Sequence, residues 1–160
     1  MREKILQIVE KNSRIDLKEL AIILGVEETD IVEEMHKMEE EGIICGYHTL
    51  IDWEKTSLDK VNALIEVRVT PQRGQGFDSI AERIYKYPEV TAVYLMSGGF
   101  DLLVILEGKS LKEISSFVSD KLSTLDTVLS TATHFILKKY KDHGTILTKK
   151  RVDEREMFTP

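Results

Sequence analysis

The sequence predicts an α+β fold in two parts, three short helices followed by a unit whose elements run β-α-β-β-α-β. Apolar residues recur at every third or fourth position up to about residue 41, a spacing typical of amphipathic helices. From Val61 onward the spacing changes. Ala63, Ile65 and Val67 now occupy every second position, as in a strand that is buried on one face. The 160 residues suffice for two small domains.

The N-terminal part contains start and stop signals for its helices. The first helix is predicted over about 2–11. Asp16 is a typical N-cap for the second helix, and Gly25 ends that helix because glycine adopts positive φ without strain. The third helix is predicted over about 28–41, and an extended segment follows it as far as about Ile51.

A short second helix, a tight turn, a longer third helix and then an extended strand are typical of a winged helix-turn-helix. A plain three-helix bundle gives the same apolar pattern, so the pattern alone leaves both readings open. We assign this domain to residues 1–51. Residues 52–60, which hold Trp53 among polar residues, are predicted to be a linker.

The C-terminal part alternates strand and helix signals up to about residue 141. Its first strand begins at Val61 and ends at Pro71. The remaining elements are, in order, a helix from Phe77 that ends before Pro88, strands over 90–96 and 102–106, a helix that begins at the capping box of Ser110 and Glu113, and a final strand over 127–137. Residues 61–141 therefore have the order of a ferredoxin-like βαββαβ domain. Residues 142–160 are predicted to be a solvated C-terminal tail.

Composition excludes several classes of function. The charged N-terminal helix is not a secretory signal, and the longest apolar runs are far short of the roughly 20 residues that a membrane helix needs. The single cysteine, Cys45, cannot form an internal disulfide. The four histidines fall in separate elements, and no glycine-rich phosphate-binding motif follows a strand. We expect a cytoplasmic protein that is not an enzyme, is not bound to membranes, and carries no metal or cofactor.

Two motifs resemble those of a known family. The stretch Met38–Tyr47 resembles the Leu-Glu-x-x-Gly-(Val/Ile)-Ile-x-Gly-(Tyr/Phe) sequence at the end of the recognition helix in the leucine-responsive regulator/AsnC (Lrp/AsnC) family. Gly98-x-x-Asp101, between the two central strands, resembles the turn of that family's effector-binding domain. Together with the domain order and Pro88, the resemblance covers about residues 5–138. It implies a transcription regulator that forms homodimers through the sheets of its C-terminal domains, and larger homo-oligomers of these dimers.

The resemblance also places a DNA contact on the third helix. With Ile31, Met35 and Met38 buried, the opposite face presents Thr29, His36 and Lys37, our candidates for contacting double-stranded DNA. The same helix and its lead-in carry seven acids, including Glu27 and Glu34 where the family usually has Ser and Arg. The net charge of −6 lies entirely in residues 1–48, which hold six Lys/Arg and twelve Asp/Glu. Because phosphate contacts depend on cations, this face also fits a basic protein surface.

The turn between the two central strands is the candidate effector site. Gly98 and Gly99 leave backbone N–H groups uncovered, which suits a carboxylate, and Asp101 is suited to an ammonium group. One turn thus offers both contacts that an α-amino acid needs, and the resemblance implies such an effector at an interface between subunits. An ordinary hairpin turn gives the same sequence. Tyr94, Met96 and Thr133, expected on adjacent strands, are the candidate walls.

The leading hypothesis is an Lrp/AsnC-type transcription regulator controlled by an amino acid. A second hypothesis is a metabolite-binding oligomer whose acidic helical domain contacts a protein, and a third is the regulatory subunit of an enzyme. The basic cluster Lys149-Lys150-Arg151 in the tail is a candidate auxiliary contact to nucleic acid.

Overall fold

The computed structural model describes residues 1–70, 74 and 76–148. The chain divides into two compact units between Leu50 and Ile51. Among the described residues, no helix is both long and apolar enough to cross a membrane. No group of three or more His, Cys, Asp or Glu side chains within these residues is arranged to hold a metal ion.

The first unit contains the three predicted helices. They span Arg2–Lys11 (α1), Leu17–Leu24 (α2) and Glu28–Glu40 (α3). The side chain of Asp16 accepts hydrogen bonds from the amides of Lys18 and Glu19, as expected of an N-cap. Gly25 ends α2 in the left-handed conformation, with φ of 68°. The buried residues of the unit come from all three helices: Ile5, Val9, Leu20, Ala21, Ile31 and Met38.

The segment after α3 differs from the prediction. Residues 43–51 form no strand, because the first unit, Met1–Leu50, has no strand among its described residues with which they could pair. Its start is fixed to the helix instead. The amides of Ile43 and Ile44 both donate to the carbonyl of Met38, and the Tyr47 hydroxyl donates to Glu39 at 2.7 Å.

The second unit is built around a four-stranded antiparallel sheet. After a 3₁₀ turn at Trp53–Lys55, its elements are β1 (Val61–Val69), α4 (Asp78–Tyr85), β2 (Val90–Leu95), β3 (Leu102–Gly108), α5 (Leu111–Phe117, continued by a π-helical turn at Val118–Leu122), β4 (Val128–Phe135), β5 (Lys141–Asp142) and β6 (Thr145–Ile146). The strand order is β2-β3-β1-β4. With both helices packed on the sheet, this is the predicted ferredoxin-like arrangement.

The two faces of the sheet differ in what covers them. On one face, buried residues of β1 and β3 such as Ile65, Val67 and Val104 pack with Ile84 of α4 and Phe117 of α5. Residues paired across antiparallel strands lie on the same face, so the register assigns the intervening residues to the other face. We call this second surface the open face; its residues are Leu64, Glu66, Ala92, Tyr94, Leu103, Ile105, Ala132 and His134. None of them belongs to the core.

The described structure adds a small hairpin at the start of the predicted tail. Part of the predicted tail is ordered as a small hairpin, because β5 and β6 pair through Lys141 with Ile146 and Asp142 with Thr145. Gly144, at a φ of 77°, allows the tight reversal between them. Residues 149–160, including the basic cluster at 149–151, lie outside the described residues.

Candidate functional sites

The turn between β2 and β3 is held by backbone hydrogen bonds at its base. The amide of Met96 donates to the carbonyl of Asp101 at 2.8 Å, which closes the hairpin. The amide of Asp101 in turn donates to the carbonyl of Val67 on β1 at 3.0 Å. The turn is therefore fixed to the central strand as well as to its own two strands.

The two glycines of the turn have open space above them. Gly98 has a φ of 116°, a conformation that other residues rarely adopt. Gly99 has no such requirement, and a Cβ atom at either position would have no neighbour within 4 Å. Nothing in the described structure thus requires glycine at position 99. A glycine there leaves the backbone accessible, which is what a bound anion needs.

The carboxylate of Asp101 already has one partner. Its Oδ2 atom accepts a hydrogen bond from the amide of Val69 at 2.9 Å. The sequence gives no sign of this contact, because the two positions are 32 residues apart. An ionised carboxylate has two oxygens and about four acceptor positions, so this bond leaves capacity for an ammonium group.

The predicted walls of the effector site do not lie together. Tyr94 on β2 lies on the open face opposite Leu103, and its side chain is exposed. Thr133 on β4 lies on the helix-covered face opposite Ile65. The prediction that these residues lie on adjacent strands is wrong, because β2 and β4 form opposite edges of the sheet. Met96 directly follows β2 and closes the turn through its amide.

The candidate DNA contacts lie on an exposed face of α3. Thr29, His36 and Lys37 are all exposed. However, both of the basic side chains have acidic neighbours one turn away. Lys37 Nζ lies 3.8 Å from Glu33, and His36 Nε2 lies 3.3 Å from Glu40. Glu33 reduces the positive charge that Lys37 offers to a phosphate, and Glu40 lies beside the ring nitrogen of His36.

Glu34 pairs with a residue of another helix, for which the sequence gives no local signal. Arg2, at the start of α1, pairs with Glu34 and makes a two-pronged contact with Glu41, at 2.6 and 2.9 Å. These contacts join the first helix to the middle and the end of α3. The hydrogen bond from Arg2 lowers the pKa of Glu41 below its usual value. Among the acids of α3, Glu34 is thus paired with a cation from another helix of the domain.

Comparison with known proteins agrees with this architecture. A model of the Lrp/AsnC ligand-binding domain matches residues 62–146. YugG of Bacillus subtilis, described as an uncharacterised HTH-type transcriptional regulator, is 48% identical over 158 residues, which are 98% of this chain and 95% of YugG. The fold and these matches define a transcription regulator of the helix-turn-helix class. The chain belongs to the Lrp/AsnC family, which confirms the predicted family and the prediction that the protein is not an enzyme.

Solved structures share the fold. The transcriptional regulator NMB0573 of Neisseria meningitidis, in its complex with L-Met, superposes with a TM-score of 0.70 at 26% identity, covering 87% of this chain and 89% of that one. AsnC of E. coli superposes with a TM-score of 0.65 at 24% identity, covering 84% and 89%. The predicted fold class is thereby confirmed.

Proposed function

We propose that this regulator binds a free α-amino acid at the turn between β2 and β3, and that the bound amino acid controls its action on DNA. The observation that carries the proposal is the turn itself. Gly98 and Gly99 have open space where a Cβ atom would lie, and Asp101 follows them in the same turn, so groups for both ends of an amino acid occur within four residues. The L-Met complex of NMB0573 supports this ligand class.

The open face of the sheet supports a homodimer. Leu64, Leu103 and Ile105 lie side by side on β1 and β3, outside the core of their own unit. An apolar patch of this kind on a sheet is typical of an interaction surface. A two-fold axis would place the same patch against itself, as in most homodimers. Tyr94 lies on this face, so a second subunit packed there contributes residues beside Tyr94, near the turn.

For the DNA contact, we propose that α3 enters the major groove with Thr29, His36 and Lys37 towards the duplex. Helix-turn-helix geometry supports this placement. The ion pairs with Glu33 and Glu40 predict weak binding with few released counterions. The same pairs favour a second candidate function, in which α3 contacts a basic protein. In both cases we place the protein in the cytoplasm.

A salt titration separates the two functions. Binding to a labelled duplex of mixed sequence is measured by anisotropy from low to physiological salt, without amino acid and with each L-amino acid. DNA binding through α3 predicts an affinity that falls linearly with salt on logarithmic axes. If no binding is detected at low salt under any condition, the DNA-binding function is wrong and the protein-contact function gains support.

A further inference from the structure

A cavity lies at the other end of the sheet from the effector turn. It has a volume of about 230 Å³ and is formed within the second unit, where residues 51–60 meet the start of β1, the end of β4 and the residues after β6. Asn62 lines it, whereas the turn is fixed to β1 at Val67 and Val69. At a rise of roughly 3.3 Å per residue, the seven residues from Asn62 to Val69 separate the two places by roughly 23 Å.

The cavity combines an apolar lining with charges of both signs. Trp53, Leu58, Ile136 and Leu147 contribute apolar surface. The charged lining residues are three lysines and three acids: Lys60, Lys138, Lys139, Asp52, Glu54 and Asp59. A ligand that complements this lining carries one positive and one negative charge on a small apolar body. The volume is below the roughly 300–1,000 Å³ of sites for drug-sized ligands, so the ligand is small.

Half of these charges already have partners. Lys60 lies 3.9 Å from the centre of the Trp53 ring and 2.6 Å from Glu107. Asp52 pairs with Lys55, and Lys139 pairs with Asp142 at 3.2 Å.

Three lining charges remain, since Lys138, Glu54 and Asp59 have no ion-pair partner among the described residues. Lys138 Nζ lies 5.2 Å from the centre of the Tyr140 ring, and all three of these charged residues are exposed. The cavity thus presents, at its solvent-exposed side, one ammonium group without a carboxylate partner and two carboxylates without a cation.

We infer that this cavity is a second small-molecule site, and that it binds a zwitterion with one carboxylate and one ammonium group on a short chain. The carboxylate lies towards Lys138, and the ammonium group lies towards Glu54 and Asp59. Because charge-assisted hydrogen bonds are the stronger kind, both ends contribute to affinity. The ligand then links three chain segments, at 51–60, at the end of β4 and after β6. This site is distinct from the turn proposed above.

Trp53 makes the site directly observable, because it is the only tryptophan in the chain. The probes are the L-amino acids other than tryptophan and tyrosine, added to the full-length protein while Trp53 emission and the melting temperature are recorded. For each amino acid that changes the emission, the N-acetyl and the carboxamide derivatives are then tested. We expect a free amino acid to change the emission and raise the melting temperature, and neither derivative to do so at the same concentration.

Three variants locate the binding. Lys138→Gln removes the carboxylate partner and is expected to raise the Kd about tenfold, as for loss of one charge-assisted hydrogen bond. Lys141→Gln, an exposed lysine outside the cavity, is the matched control and is expected to bind as the parent does. Gly99→Val obstructs the effector turn and is expected to leave the Trp53 response unchanged. Glu54→Gln tests the other end of the ligand if Lys138→Gln does not fold.

Each contrary result overturns the inference. If no amino acid changes Trp53 emission, the cavity does not bind this class. If either derivative acts as strongly as the free amino acid, a zwitterion is not recognised. If Gly99→Val abolishes the response and neither Lys138→Gln nor Glu54→Gln weakens it, the emission reports binding at the turn.

Discussion

The Oδ2 atom of Asp101 accepts a hydrogen bond from the backbone amide of Val69 at 2.9 Å. The pairing of β1 with β3 ends at Val67 and Leu102, and the pairing of β1 with β4 shifts register between Arg68 and Val69. The Val69 amide therefore lies beyond the regular ladder, where the Asp101 side chain supplies its acceptor. One residue of the candidate effector turn thus also completes the hydrogen bonding of the central strand.

Asp101 belongs to the candidate effector turn and also accepts the hydrogen bond from Val69, so we expect different results from two substitutions of Asp101. Asp101→Ala removes the acceptor of a buried strand residue, so unfolding free energy is expected to fall by about 1–3 kcal/mol. Asp101→Asn keeps an acceptor oxygen and removes the charge, so stability is expected to change by less than about 1 kcal/mol. Urea unfolding measures both.

The same two variants test the proposed ligand contact. An ammonium group held by Asp101 requires the charge, so Asp101→Asn is expected to lose most of the melting-temperature increase produced by the amino acid that stabilises the parent. If Asp101→Asn keeps that increase, Asp101 serves the fold alone and the ammonium contact lies elsewhere. Asp120, exposed and outside the turn, offers a matched control: Asp120→Asn removes the same charge and is expected to leave the increase unchanged.

The fold was predictable because each of its elements has a local signal. Periodicity, the Asp16 cap and Gly25 place the helices of the first unit within a residue or two. The effector turn is recognisable for the same reason, because its residues are contiguous. The adjacency of Tyr94 and Thr133 was not predictable in this way, since it depends on strand order and on which face each residue occupies.

A prediction for DNA binding follows from the contact between Lys37 and Glu33. Lys37→Gln removes a cation that faces the duplex and is expected to lower the slope of log affinity against log salt by about one. Glu33→Gln removes the neighbouring acid and is expected to strengthen binding. Anisotropy titrations at several salt concentrations measure both effects. Glu10→Gln, a change of equal charge on an exposed position of α1, is the control.

Comparing Glu33→Gln with Glu10→Gln shows whether α3 faces the DNA or whether only the total charge of the domain affects binding. If Glu33→Gln and Glu10→Gln change affinity equally, only the total charge of the domain matters, and α3 has no special role. The position of Lys37 on an exposed face was predictable from helical periodicity. Its ion pair followed from the four-residue spacing to Glu33, whereas the contacts of Arg2 across two helices had no sequence signal.

The contacts of Arg2 predict a pH-dependent stability. The hydrogen bond from Arg2 holds the pKa of Glu41 below its ordinary value of 4.5. A carboxyl group with a lowered pKa in the folded state contributes stability above its ordinary pKa, and this contribution is lost as the pH falls through the lowered value. Arg2→Gln is therefore expected to be less stable than the parent at pH 7. The difference is expected to close as the pH falls below about 4.5.

Urea unfolding of the parent and Arg2→Gln across this pH range measures the difference. Arg14→Gln is the matched control, because Arg14 is exposed and its side chain has no ion-pair partner among the described residues. It is expected to show no pH-dependent difference from the parent. An Arg2→Gln deficit that stays constant into acid would mean that Arg2 acts through packing of its aliphatic stem and not through Glu41.

The apolar residues of the open face predict that the protein forms dimers through this face. Leu64 lies on the central strand, opposite Ile105 on one side and His134 on the other. In a two-fold dimer through this face, Leu64→Lys places two lysines in an apolar contact, because each subunit contributes the same residue. An unpaired charge buried in this way is expected to raise the dimer dissociation constant about a hundredfold or more. Sedimentation velocity over a range of concentrations measures the change.

Leu111→Lys is the matched control, since Leu111 is exposed on α5, away from the open face. If Leu64→Lys and Leu111→Lys associate as the parent does, the dimer forms through another surface.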